Sequence, residues 1–168
     1  MMARAHPQFA LRPFLIEDTP LLAEIFRASI EELTADDYTE GARQAWASAA
    51  DDEEAFARRL GGQLTLIATM NGSPVGFASL ANTETVDLIY VHPAVAGQGA
   101  GTLLVDALEK LSLARGAKRL TADVSDSAQD FFKKRGFSAQ QRNTVLRGGE
   151  WLANTTMDKT LAAAQGAA

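Results

Sequence analysis

The segment from Leu88 to Leu104 constrains the fold of this chain most strongly. It reads as an apolar strand, a stop at Pro93, a glycine-rich turn and a helix that begins at the glycines. The first turn of a helix offers N–H groups without partners and the positive end of the helix dipole. Because glycines let the backbone approach a ligand closely, this order of elements predicts a loop that holds a phosphate or a pyrophosphate.

Two well-known phosphate loops fit this segment poorly. A P-loop needs a lysine directly after its last glycine, whereas Gly101 is followed by Thr102. A dinucleotide fingerprint needs Gly-x-Gly-x-x-Gly, and counting from Gly97 places Thr102 where the third glycine belongs. The loop also lies in mid-chain, after several predicted strands. An unrelated nucleotide-binding enzyme is therefore the least favoured hypothesis.

The loop instead resembles the acetyl-CoA loop of the GNAT superfamily of N-acetyltransferases, Arg/Gln-x-x-Gly-x-Gly/Ala. The matching residues run from Ala96 to Gly101, after Val91-His92-Pro93. A second run, from Ser125 to Phe137, resembles the family's Asn-x-x-Ala-x-x-Phe-Tyr-x-x-x-Gly-Phe. The resemblance covers most of residues 9–160. It implies a mixed α/β fold with a twisted, mostly antiparallel sheet of about six to seven strands, flanked by helices and splayed at the acetyl-CoA site.

Hydrophobic periodicity and turn signals place all elements in one domain, residues 9–160, between flexible termini at 1–8 and 161–168. The resemblance implies that it is an acetyltransferase domain. Strands are predicted at 9–14, 64–70, 75–80, 86–91, 120–124, 137–147 and 150–159. Helices are predicted after a cap at Asp18, near 39–48, from a cap at Asp51 to Leu60, at 100–115 and at 127–135.

Composition limits the chemistry. The chain has no cysteine, which excludes disulfides and a cysteine acyl-enzyme, so the acetyl group would pass directly between substrates. The two histidines, His6 and His92, are far apart, and we expect no metal. A net charge of −5 disfavours nucleic acid as a partner. No apolar run approaches about 20 residues and no signal peptide is recognisable, so we expect no membrane association and a cytoplasmic location.

The resemblance also implies how acetyl-CoA is held. Backbone N–H groups of the loop would face the pyrophosphate, and main-chain atoms of Ile89 and Val91 would contact the pantetheine arm. Ala96 departs from the family's Arg or Gln, which leaves more of the affinity to the backbone and to Gln98. Lys133 and Lys134 are either phosphate contacts or a solvated helix face. The predicted cofactor-binding residues are Ile89, Tyr90, Val91, Ala96, Gly97, Gln98, Gly99, Ala100, Gly101, Thr102 and Phe132.

Candidate catalytic residues follow from strand parity and from the second motif. Asp87 has the parity of Ile89 and Val91, so we expect its side chain on their face. The resemblance implies that a carboxylate on this strand takes the amine proton, often through a water. The alternative for Asp87 is an exposed carboxylate at the end of a strand. Glu84 is the second candidate, on the other face unless a bulge shifts the register. Phe132 stands where the family often has a tyrosine that protonates the thiolate. Ser125 or a water is the replacement, unless the thiolate leaves unassisted. His92 is expected to be structural.

The acceptor is expected to be an amine of a small molecule or a peptide. Asp37, Tyr38 and Trp46 are candidates for its pocket, since a carboxylate holds a cation and an aromatic face covers it. The alternative for Trp46 is an anchor for its helix in the core. The chain resembles a bacterial GNAT subgroup without a fixed substrate, through Asp37-Tyr38, Ala45-Trp46 and Phe131-Phe132. Pairing of the C-terminal strands into a homodimer is common in the family.

The departures at Ala96 and Phe132 also support an alternative function. A chain of this fold that lacks the loop's charged side chain and the catalytic tyrosine would serve as an acyl-CoA-binding regulatory module with impaired catalysis. Both hypotheses predict acetyl-CoA binding, and only the transferase predicts turnover.

Overall fold

A computed structural model describes residues 8–161. Seven strands form one sheet in the order β1-β2-β3-β4-β5-β7-β6. All neighbouring pairs are antiparallel except β4 and β5, which run parallel. The strands are β1 (Phe9–Pro13), β2 (Leu64–Met70), β3 (Ser73–Leu80), β4 (Thr85–Val91), β5 (Arg119–Ser125), β6 (Ser138–Arg147) and β7 (Glu150–Thr160). The predicted mixed α/β fold with a mostly antiparallel sheet is confirmed.

Helices cover both faces of this sheet. They are α1 (Thr19–Leu33), α2 (Glu40–Ala47), α3 (Glu53–Gly61), α4 (Ala100–Ala114) and α5 (Gln129–Lys134). On one face, Leu104 and Leu108 of α4 pack with sheet residues such as Leu120. On the other face, Phe26 of α1 and Phe56 of α3 form the core with sheet residues from β2, β3 and β4. The sheet therefore separates an α4 side from an α1–α3 side.

Most predicted bounds agree with the structure to within two residues, and the helix caps are the exceptions. Asp52, not Asp51, caps α3, and its carboxylate accepts the Ala55 N–H at 3.0 Å. Asp18 precedes α1 but makes no cap bond to it. The second motif begins with a 3₁₀ turn at Asp126–Ala128, so α5 starts two residues later than predicted. Apart from Gln8 and Leu161, the predicted flexible termini lie outside the described residues.

Asp18 instead joins β1 to the turn before α1. Its carboxylate accepts two hydrogen bonds from Arg12, both at 2.8 Å, and a third from the Leu15 N–H at 2.8 Å. The hydrogen bonds from Arg12 outweigh burial and hold the pKa of Asp18 below its usual value. The carboxylate is thus stabilised in its charged form.

We expect Asp18→Asn to lower the free energy of unfolding by about 1–3 kcal/mol at pH 7, because Arg12 and the Leu15 N–H lose a charged partner. A lowered folded pKa contributes stability above the unfolded value of about 3.9, and this contribution is lost as the pH falls through the folded pKa. The difference in free energy of unfolding between the parent protein and Asp18→Asn should therefore become smaller below about pH 4. Urea unfolding at several pH values measures it, and a difference that does not vary with pH would contradict the argument.

Two irregularities in β4 open the sheet at its centre. Parallel pairing of β4 with β5 is limited to Thr85 with Thr121 and Val86 with Ala122, and beyond these pairs the strands separate. On the other edge of β4, Ser79 pairs with Leu88 but Leu80 pairs with Val86. Asp87 is therefore the extra residue of a β-bulge.

The bulge makes the parity argument for Asp87 wrong. Ile89 and Val91 pack on the α4 side of the sheet, as does Val86. The Asp87 carboxylate instead bonds to Arg59 and Gln63, on the α1–α3 side. An inserted residue shifts the alternation of every side chain that follows it, so positions two apart across the bulge no longer share a face.

Candidate active site

Two cavities meet where β4 and β5 separate. The first has a volume of about 580 Å³ and lies between the glycine loop, the start of α4, and α5. The second has a volume of about 330 Å³ and lies against α2, β7 and the end of β6. They share six lining residues, Trp46, Val86, Asp87, Tyr90, Asp123 and Ser125. A molecule in either cavity therefore reaches one common junction, formed by these six residues.

The glycine loop presents unpaired backbone donors to the first cavity. Gly97 and Gly99 have φ of 76° and 104°, in the left-handed region that favours glycine. The first bond of the helix ladder runs from the Leu103 N–H to the Gly99 carbonyl. Within the described residues, five N–H groups of the loop have no acceptor: those of Gly97, Gly99, Ala100, Gly101 and Thr102. Unpaired N–H groups in this number at a helix N-terminus are suited to bind a phosphate group.

An arginine that the sequence analysis did not single out lies beside this loop. Arg135 donates to the Phe131 carbonyl at 2.8 Å and to Thr102 Oγ1, and its guanidinium lies 3.9 Å from the centre of the Phe131 ring. It lines the first cavity, and no carboxylate of the described residues pairs with it. A Cβ at Gly101 would lie 3.1 Å from the Phe131 ring, so glycine lets this ring approach the helix.

The gap between the strands exposes main-chain groups of β4. The His92 N–H donates to the Val75 carbonyl at 2.8 Å. Because bonded residues alternate in an antiparallel ladder, Leu88 and Tyr90 bond to β3, while the N–H and C=O groups of Ile89 and Val91 point into the gap. These groups line an extended edge that can bind an amide-containing arm.

Asp87 accepts three hydrogen bonds at the junction. Arg59 donates to both of its oxygens, at 2.8 and 3.0 Å, and Gln63 Nε2 donates to Oδ2 at 2.8 Å. Burial raises the pKa of Asp87, but the hydrogen bonds from Arg59 and Gln63 outweigh it and the pKa is lowered. Asp87 is therefore ionised at neutral pH and is a weak proton acceptor.

Two aromatic residues, Trp46 and Tyr90, form the wall of the junction on the α1–α3 side of the sheet. Tyr90 packs edge-on against Phe26, and its hydroxyl accepts the Trp46 Nε1–H at 3.2 Å. Burial raises the pKa of Tyr90 to about 12, so the phenol keeps its proton at neutral pH. Trp46 packs against the core and also lines both cavities. Its position is therefore compatible with both roles predicted for it, an anchor for its helix and a wall of the acceptor pocket.

Comparison with known proteins gives the family. Residues 34–161 match the family model described as an acetyltransferase (GNAT) domain. The chain belongs to the GNAT family of N-acetyltransferases. It is 31% identical over 124 residues to the peptidyl-lysine N-acetyltransferase YjaB of Salmonella typhimurium, covering 74% of this chain and 69% of that protein. It is 27% identical to the uncharacterized N-acetyltransferase YafP of Escherichia coli K12, over 88% and 93% of the two chains.

Solved structures agree with this assignment. A GCN5-related N-acetyltransferase from Rhodopseudomonas palustris, "Aminotransferase, Class-II", superposes with a TM-score of 0.91 at 61% identity, over 96% of this chain and 99% of the other. The PaiA N-acetyltransferase of Thermoplasma acidophilum, solved with coenzyme A, shares the fold with a TM-score of 0.77 at 20% identity, over 91% and 99%. The chain is thus a GNAT-type acetyltransferase in fold and family.

Several predicted residues of the acetyltransferase line neither cavity. Glu84 is exposed in the turn before β4. Asp37 accepts a hydrogen bond at 2.7 Å from Ser127, which lines the first cavity, but Asp37 itself lines neither. Gln98 is exposed, its N–H donates to the Val95 carbonyl, and it does not line the first cavity. Lys133 and Lys134 are exposed, as a solvated helix face would be. The structure therefore does not bring these five residues to the junction.

Three other predicted residues, Tyr38, His92 and Phe132, have contacts within the protein. Tyr38 lines the second cavity, and its hydroxyl donates to the Ala153 carbonyl at 2.5 Å and accepts the Asp126 N–H at 2.9 Å. Both bonding positions are thus occupied by the protein. His92 Nδ1 accepts the Ala94 N–H at 3.0 Å, which closes the turn before the glycine loop. Phe132 is buried and lines the first cavity.

Sequence reasoning missed four charged residues that line these cavities: Arg59, Asp123, Arg135 and Arg147. A signal existed for Asp123, since a lone carboxylate interrupts the apolar strand β5. Arg135 directly follows two lysines in the second motif, and its position in the sequence did not distinguish it from them. Arg147 had no local signal, because only the pairing of β6 with β7 brings it to the second cavity.

Within residues 8–161 no helix is long and apolar enough to cross a membrane. The same part of the chain holds no group of three or more His, Asp or Glu side chains placed to bind a metal ion.

Proposed function

We propose that this protein transfers an acetyl group from acetyl-CoA directly to a primary amine. The junction of the two cavities carries this proposal, since a thioester reaching it from the first cavity would meet an amine reaching it from the second. Such a shared junction serves direct transfer within a ternary complex. The absence of cysteine from the chain fits the same route, because no thiol is present to carry the acetyl group.

The first cavity has the groups that acetyl-CoA requires. The five free N–H groups of the loop would bind the pyrophosphate, together with the positive end of the α4 dipole. The exposed main-chain edge of Ile89 and Val91 would bind the pantetheine amides. The relatives solved with coenzyme A share only the fold with this chain, so the proposal is supported by the loop itself.

We assign to Arg135 the charge that other members place at the position of Ala96. We expect Arg135→Ala to weaken CoA binding about tenfold, since a charged hydrogen bond contributes about 1.5–3 kcal/mol and the loop's N–H groups remain. Calorimetry with CoA and with dephospho-CoA measures the loss and shows whether the pyrophosphate or the 3′-phosphate is the partner.

Lys134→Gln is the matched control for Arg135→Ala. Lys134 has the same charge and precedes Arg135 directly, but it is exposed and does not line the cavity. We expect its affinity for CoA to stay within about twofold of the parent protein, by the small effect of an exposed charge. An equal loss in both variants would show that Arg135 acts only through the general positive field of α5.

Two carboxylates at the junction are candidates to accept the amine proton. Asp87 is the sequence candidate, and it is held by Arg59 and Gln63. Asp123 lies on β5 across the gap, and among residues 8–161 its carboxylate accepts only the Thr156 hydroxyl, at 2.6 Å. No cation of the described residues pairs with Asp123. We therefore assign proton removal to Asp123, directly or through a water, and Asp87 stays a prediction that the variants discussed below test.

The leaving thiolate has no tyrosine at the family's position, since Phe132 carries no hydroxyl. Ser125 lines both cavities at the end of β5 and is the proposed proton donor. A thiol with a pKa of about 8.5 is a fair leaving group, so the reaction does not depend strongly on this donor. The substitution at Phe132 is therefore compatible with catalysis.

Thiol release from acetyl-CoA across a panel of primary amines tests the proposed function, with the acetylated amine identified by mass spectrometry. We expect turnover on at least one class of amine. The departures at Ala96 and Phe132 favour a second candidate, the acyl-CoA-binding regulatory module. Tight binding of acetyl-CoA without turnover on any amine would support that module and overturn the transferase.

A further inference from the structure

We infer that the acceptor is a small zwitterion, with a primary amine at one end and a carboxylate at the other. This inference rests on the proposed function and names the substrate class of the second cavity. At about 330 Å³ that cavity is at the lower end of the range for small-molecule sites.

The second cavity is lined by one ion pair and by two further charged residues of opposite sign. Its charged residues are Arg59, Asp87, Asp123 and Arg147. Arg59 and Asp87 neutralise each other through two hydrogen bonds. Within residues 8–161, neither Asp123 nor Arg147 forms an ion pair, although Arg147 acts on Asp87 from a distance and helps to lower the pKa of that carboxyl. A ligand with one positive and one negative group would complement them both.

The placement of these two residues also orients such a ligand. Asp123 lines both cavities, so an ammonium group bound to it lies at the junction, where the acetyl group would arrive. Arg147 lines only the second cavity, so a carboxylate bound to it lies away from the cofactor. Asp123 can then hold the amine and accept its proton, while Arg147 fixes the opposite end.

Contacts of the β6–β7 turn position Arg147 at the cavity. The residue after it, Gly148, packs against α2, where a Cβ would lie 3.3 Å from Ala45 Cβ. The Glu150 carboxylate lies against Gly41 in the first turn of α2, where the helix dipole favours a negative charge. Both sides of the turn are thus in contact with α2, which holds Arg147 close to the cavity.

Matched substrates test this inference. We would measure kcat/KM for the standard L-amino acids, for their carboxamides, for the corresponding decarboxylated amines and for a lysine peptide with blocked termini. We expect at least one free amino acid to exceed its carboxamide by about tenfold or more, the effect of one charge-assisted contact. Equal rates for acids and carboxamides, or a preference for the blocked peptide, would overturn the zwitterionic class and leave the transferase intact.

Variants at Arg147 assign the preference to this side chain. We expect Arg147→Gln to raise KM for the preferred acid about tenfold, with little change for its carboxamide, and Arg147→Lys to keep part of the preference. Arg119→Gln is the control, because Arg119 pairs with Asp158 at 3.5 Å and lines neither cavity. An equal loss on acid and carboxamide in Arg147→Gln would overturn the assignment. Failure of every amine to react would overturn the proposed function and this inference together.

Discussion

Gly99→Ala is expected to weaken CoA binding by about 10- to 100-fold, whereas Gly116→Ala leaves it unchanged. Gly99 precedes α4 with φ of 104°, and Gly116 follows the same helix with φ of 90°. A Cβ at either position meets no atom within 4 Å, so both variants have the same steric freedom. Alanine in this left-handed region costs about 1–2 kcal/mol at each site. The two substitutions should therefore lower stability by similar amounts.

Only one of these glycines belongs to the phosphate loop. Relaxation of the strain at Gly99 turns the free N–H groups of the loop away from their common direction, and the added methyl group occupies space beside them. Gly116 lies at the other end of α4 and lines neither cavity. Calorimetry with CoA and urea unfolding of both variants separate affinity from stability. Equal losses of affinity in the two variants would place the pyrophosphate elsewhere.

The strands, the helices and the loop were predictable from the residues because their determinants are local, whereas the sheet that joins the strands was predicted from the family resemblance. Strand bounds followed from apolar runs and from the turn at Asn71-Gly72, and the loop followed from glycine spacing next to a helix start. A backbone site needs only a strand, a turn and a helix in order. The geometry of such a site is therefore determined by a few consecutive residues.

The charged groups at the junction were not predictable in the same way. The partner of Asp87 is Arg59, 28 residues away, and the sequence around either residue does not predict the ion pair. The bulge at Asp87 depends on how β3 and β4 pair, so parity from sequence alone assigned its side chain to the wrong face. Asp18 shows the same limit on a smaller scale. A carboxylate before a helix was expected to cap it, but an arginine six residues earlier binds the carboxylate instead.

The roles of the two junction carboxylates should separate in Asp123→Asn and Asp87→Asn. We expect Asp123→Asn to lower kcat by about 10²–10⁴-fold, the usual contribution of a positioned proton acceptor. An asparagine keeps an oxygen for the Thr156 hydroxyl, so stability should change little. Asp87→Asn instead removes the charged partner of Arg59 and should lower the free energy of unfolding by about 1–3 kcal/mol.

A second substitution distinguishes support from catalysis at Asp87. Combining Asp87→Asn with Arg59→Gln removes both charges of the ion pair, and we expect it to recover most of the lost stability. If Asp87 serves mainly to hold this wall of the cavity, the double variant also recovers most of the activity, and Asp123→Asn remains by far the slower enzyme. If the double variant regains stability but stays as slow as Asp87→Asn, then Asp87 takes the amine proton, as its position on β4 first suggested. Rate profiles between pH 6 and pH 9, together with urea unfolding, decide between the two, because a folded but inactive double variant has lost a chemical group and not its structure.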